Sequence, residues 1–129
     1  MSYDLYFWKP QRDLGESPRS VWDRLCDEEE IDIEGLTWLS VSELKAHFAK
    51  AFPKIEDYGT QLNWEDEKGS FQVDWIVGSK PQHTLGFFIN CSWALLKHPD
   101  ILDCIIQVAI EMECGMYDPQ EDKWREPVT

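Results

Sequence analysis

The chain has 129 residues, enough for one hydrophobic core and short for two. Twelve Lys and Arg stand against 25 Asp and Glu, a formal net charge of −13, so nucleic acid and anionic membrane are poor partners, since both repel it. An apolar fraction of 43% with seven Trp, six Phe and four Tyr also excludes an acidic disordered tail, which is poor in aromatics.

Tyr3, Leu5 and Phe7 alternate with Asp4, Tyr6 and Trp8 before a Lys9-Pro10 stop, which predicts a first strand. The same start has an early acid and no basic n-region, so it does not read as a signal peptide. Ser17-Pro18 couples a capping hydroxyl to a proline at the first helical position, and Val21, Trp22, Leu25 and Cys26 follow at helical spacing. The first helix is expected over about 18–28. An acidic connector comes next. A possible capping box, Ser40-Val41-Ser42-Glu43, then opens a second helix whose stripe is Val41, Leu44, Phe48, Ala51 and Phe52, up to the breaker Pro53.

From residue 60 to 91 the period changes to two. Leu62 and Trp64, then Phe71, Val73, Trp75 and Val77, then Leu85, Phe87 and Ile89 mark three strands, joined by turns at 67–70 and 78–82 into an antiparallel meander. A third helix starts at Pro99-Asp100, carries the stripe Ile101, Leu102, Ile105, Ile106, Ala109 and Met112, and is expected to end at Gly115. Met116-Tyr117 makes a short last strand, closed by Asp118-Pro119. This order predicts a single α+β domain over 1–129: an antiparallel sheet of four to five strands with helices mainly on one face and the other face partly wet.

Catalytic signatures are sparse. The seven glycines stand alone and form no phosphate loop. Cys26, Cys91, Cys104 and Cys114 are widely spaced, as are His47, His83 and His98, so four reduced, mostly buried thiols and no metal or cofactor are expected. No stretch approaches the roughly 20 apolar residues of a membrane span, and a cytoplasmic location follows. On the wet sheet face Asp4, Glu65 and Asp74 with Tyr6, Trp8 and Phe88 offer a small ligand-binding or glycosidic site, an alternative to the solvated face that any such sheet presents.

The densest feature is Asp27-Glu28-Glu29-Glu30-Ile31-Asp32-Ile33-Glu34, six carboxylates in eight residues. Negative charge beyond a helix C-terminus is unfavourable, so the cluster does not serve the first helix. It reads as a solvated connector or as a docking surface for a basic protein, with Ile31 and Ile33 as apolar contacts; the spacing lacks the glycine and alternating ligands of a calcium loop. Further acids on predicted loops are Glu65, Asp66 and Glu67 in the hairpin turn and Asp118 near the end. Trp38, Tyr117 and Trp124 accompany them as candidate aromatic anchors.

The start Met1-Ser2-Tyr3-Asp4-Leu5-Tyr6-Phe7-Trp8, the acidic balance, and Cys114-Gly115-Met116-Tyr117-Asp118-Pro119-Gln120 resemble a group of small bacterial proteins that includes immunity proteins of polymorphic toxin and contact-dependent growth inhibition systems. The resemblance implies a cytoplasmic, non-catalytic inhibitor of the toxic C-terminal domain of a sibling's effector. It carries no functional residue to a position here. An acidic nucleic-acid mimic aimed at a nuclease or restriction enzyme, and a small ligand-binding domain or enzyme, are the rival classes.

Overall fold

A computed structural model describes residues 2–27 and 32–127. The elements are β1 (Ser2–Trp8), α1 (Pro18–Leu25), β2 (Leu39–Ser40), α2 (Val41–Ala51), β3 (Glu56–Asp57), β4 (Gln61–Asp66), β5 (Gly69–Val77), β6 (His83–Ser92), a 3-10 helix (Trp93–Lys97), α3 (Pro99–Glu111), β7 (Gly115–Asp118) and β8 (Lys123–Arg125). The strands form one antiparallel sheet in the order β3-β4-β5-β6-β1-β7-β8, and β2 pairs with the start of β6. The predicted α+β class and antiparallel sheet hold. The strand count rises from four or five to eight, because β2, β3 and β8 have two or three residues each and are too short to carry a period.

The caps explain where the helices begin. Ser17 Oγ accepts from Ser20 N at 3.1 Å, Ser40 Oγ accepts from Glu43 N at 3.3 Å, and Pro99 and Asp100 occupy the first turn of α3. Two helix ends differ from expectation. α1 stops at Leu25, three residues early, so Asp27 lies outside it and Glu28 falls outside the described residues. α3 ends through Glu113, which takes φ 60°, while Gly115 is already in β7. A Cβ at Gly115 would stand 2.1 Å from the Trp124 ring, so glycine is there to let β8 lie close.

The sheet separates two apolar clusters. On one face α2 and α3 press Leu44, Phe48, Phe52, Ile105, Val108 and Ala109 against Leu5, Phe7, Phe71, Val73, Phe87 and Ile89. On the other, α1 and the connector bury Val21, Leu25, Ile33 and Leu36 against Trp8, Leu85 and Tyr117. The face expected to be wet is therefore covered at one end. Leu85 changes sides relative to the predicted alternation, because Trp75 pairs with Phe87 but Val77 with Thr84, a one-residue bulge on β6. Gly86 occupies that bulge where a Cβ would meet the Phe7 carbonyl at 2.9 Å, and Thr84 Oγ1 lies 2.6 Å from the Ile76 carbonyl it bonds.

Asp118 is structural. It is 6% exposed and accepts hydrogen bonds from the Tyr3 hydroxyl, the Gln120 N–H and side-chain amide, and the Glu121 N–H. Burial, and after it the bond to Asp118, raises the Tyr3 hydroxyl well above the usual phenol range. Replacing Asp118 by Ala orphans these donors at a cost of about 2–3 kcal/mol. A fall in Tm of about 10 °C is the expected result in a thermal melt.

Candidate partner-binding surface

The predicted site residues do not form one surface. Asp32 and Glu34 lie at the sheet end where β5 turns into β6: Asp32 accepts a bond from Ser79 Oγ, and Glu34 pairs with Arg12 at 3.2 Å. Asp27 is exposed just beyond α1, and Glu28, Glu29, Glu30 and Ile31 lie outside the described residues. Glu65, Asp66 and Glu67 sit at the opposite end, in the β4–β5 hairpin. The length of β5, about 27 Å at strand rise, separates the two groups.

Among the described residues the two ends differ in how their acids are matched. Around the connector end, cations answer carboxylates: Arg12 with Glu34, Lys9 with Glu113 at 2.7 Å, Arg24 with Glu16 at 2.7 Å, and Lys45 with Asp57 at 3.2 Å. Bonds from Ser20 and Arg24 hold Glu16 below the usual carboxylate range, and the Gly59 N–H, followed by Lys45, does the same for Asp57. At the hairpin end Asp66 accepts only its local turn bond from Lys68 N at 2.7 Å, and Lys68 reaches Asp100 at 3.5 Å. The Glu65 and Glu67 carboxylates have no hydrogen bond or ion pair among the described residues.

The aromatic anchors also fall differently from expectation. Tyr117 is 0% exposed, its hydroxyl donating to Asp122 at 2.6 Å, so a partner does not reach it. Asp118 is closed off in the same way, and Ile33 is core. Trp124 is half-buried and stacks on Trp8 with ring centroids 4.7 Å apart; Trp38 is half-buried against the same cluster. Among the described residues the well-exposed large apolar side chains are Tyr58, Val77, Trp93 and Leu96. Trp93 and Leu96 escaped the sequence reading because Trp93–Lys97 carries neither a strand nor an α-helical period. The available signal was the triplet spacing itself, since residues i and i+3 eclipse in a 3-10 helix and present Trp93 and Leu96 on one side while Leu95 turns into the core.

The carboxylates suggested for a glycosidic site do not converge. Register places Asp4 opposite Asn90, Asp74 opposite Phe88 and Glu65 opposite Ser70, so Asp4 and Glu65 sit three strand spacings apart, about 14 Å. The accompanying rings are engaged: Tyr6 stacks on Phe88 at 5.1 Å with Trp22 against its edge, and Trp8 is buried. A cleft of about 610 Å³ opens beside Trp124, walled by Lys9, Arg12, Leu14 and Glu126. Among the described residues no group of three or more His, Cys, Asp and Glu is arranged to hold a metal ion, and no helix is long and apolar enough to cross a membrane.

No protein-family model, curated protein or solved structure matches the chain. Its chemistry is therefore read from its own residues.

Proposed function

We propose that this chain is a non-catalytic immunity protein that binds and neutralises a basic toxin domain. The observation that carries the reading is the unmatched charge at the hairpin end: Glu65 and Glu67 project from a hairpin held by six β4–β5 register pairs, with no cation answering them among the described residues. In a domain of net charge −13, such rigid and unneutralised acids cost folding free energy by repulsion and repay it when a basic surface arrives. Nuclease toxins are basic because they hold nucleic acid, and an acidic protein can close the same cleft. The acids supply encounter rate and discrimination, and desolvated apolar side chains supply affinity.

Growth is the direct test. A gene for a toxic C-terminal domain is expected beside this chain's gene, its product arresting growth when expressed alone and tolerated when the chain is co-expressed; equal toxicity in both cases, or no such gene, overturns the reading. For the purified pair, raising NaCl from about 0.05 to 0.5 M is expected to slow association about 10- to 100-fold in stopped-flow measurements. An association rate insensitive to salt removes the electrostatic part.

A further inference from the structure

We infer that the toxin docks on the face made by Trp93 and Leu96 of the 3-10 helix, with the β4–β5 hairpin as its anionic rim; this rests on the immunity reading and names the surface that serves it. Trp93 is 45% exposed and Leu96 38%, two of the four large apolar side chains that the described residues leave in water, the others being Tyr58 and Val77. Neither is loose. Leu95 between them is fully buried, and its side chain lies 3.1 Å from where a Cβ on Gly69 would stand, so the helix is pinned to the hairpin that bears Glu65, Asp66 and Glu67. Ser92 Oγ ties the same junction by accepting from Ser70 N at 3.0 Å. On its other side Trp93 meets the edge of Tyr3 at a centroid distance of 6.1 Å, and Tyr3 is hydrogen-bonded to Asp118.

The result is a Trp and Leu pair on a helix pinned beside an acidic hairpin, an apolar centre next to a charged edge of the kind that concentrates binding energy at a protein interface. Charge complementarity fixes the occupant. Glu65, Asp66 and Glu67 lie on the hairpin to which the helix is pinned and Asp100 lies three residues beyond the helix, while Lys68 of that hairpin is already drawn to Asp100 at 3.5 Å. A second copy of the chain would bring the same carboxylates face to face, whereas a basic domain meets them with Lys and Arg. The connector, with Glu34 matched by Arg12 and Asp32 held by Ser79, lies at the far end of the sheet and is not required for this contact.

Site-specific photo-crosslinking of the full chain tests the face in the cell that makes it. Benzoylphenylalanine is placed at position 93, 67 or 34, and adducts are identified by mass spectrometry. A single protein of basic pI crosslinked from 93 and 67 but not from 34 is the expected result. With that protein purified, Trp93→Ala is expected to weaken the complex about 100-fold and Glu34→Gln less than about 3-fold. Circular dichroism checks that Trp93→Ala folds, and Leu96→Gln, expected to weaken binding about 10-fold, stands in if it does not. The same basic protein crosslinked from 34 alone overturns this face and leaves the immunity reading in place. Adducts with no basic protein from any position overturn both, and a homodimer crosslinked through 93 overturns the choice of occupant.

Discussion

Replacing Phe48 by Ala is expected to lower the unfolding free energy by about 3–5 kcal/mol, a large share of what a domain of this size possesses. Phe48 is fully buried at the centre of α2, and its ring lies within 6.1–6.4 Å, between centroids, of Phe52, Phe71 and Phe87. It is the point where α2 locks to β5 and β6. Truncation to a methyl leaves a cavity under a helix of 11 residues, whose stability depends on that apolar stripe more than on propensity. The surrounding rings are large and rigid, so collapse into the space is limited and the cost stays near the upper end. Urea unfolding followed by tryptophan fluorescence measures it. A loss under about 1 kcal/mol would mean that α2 does not pack on the sheet as described.

Alkaline pH should unfold the protein cooperatively. Burial pushes the Cys91 and Cys114 thiols up to about 12 from an ordinary 9, and burial likewise takes the Tyr6 and Tyr117 hydroxyls up to about 12 from 10, with the Asp122 carboxylate adding to the rise at Tyr117. In each case the folded chain holds its proton more tightly than the unfolded one. Stability from these groups is thus fully present below pH 9 and is lost as pH climbs toward 12. Each thiol contributes a slope of about 1.4 kcal/mol per pH unit in that window, so the two together withdraw about 5 kcal/mol by pH 11. The urea midpoint is expected to be level from about pH 6 to 8.5 and to fall steeply above 9. Cys114→Ala should remove about one proton from the slope. A midpoint unchanged between pH 8 and 11 would contradict the burial of these four groups.

The parts of this fold that were legible in the sequence are those decided locally. Ser17-Pro18, Ser40 with Glu43, and Pro99-Asp100 announce helices because capping and dipole chemistry act within one turn. The alternation of Leu62 to Val73 announces strands because one face is buried, whereas Val77, expected on the same apolar side, is exposed. What escaped was decided at long range. Leu85 switches clusters through a bulge whose only local sign is Gly86 inside a strand pattern. Tyr117 lies on the expected last strand but is buried instead of serving as an anchor, because β8 folds back beside it and Trp124 covers Trp8. The acids were legible as an excess, but which of the described carboxylates meet a cation depends on which cations the topology delivers, as with Arg12 beside Glu34. Trp93 and Leu96 are exposed because Leu95 takes the core position of the 3-10 helix, a choice fixed by Gly69 across the junction.

The position of β1 has a consequence for how the molecule is made. Although it precedes every other element, β1 lies inside the sheet, with Phe7 opposite Phe87 and Tyr6 opposite Tyr117. At translation rates of about 5–20 residues per second, its partners follow roughly 5–20 s later. For that interval Tyr3, Leu5, Tyr6, Phe7 and Trp8 form an apolar segment with no strand to pair with, and neither apolar cluster can close until β7 has emerged. Folding of the sheet is therefore committed late and nearly all at once, and the apolar segment made first is the one that ends up inside it.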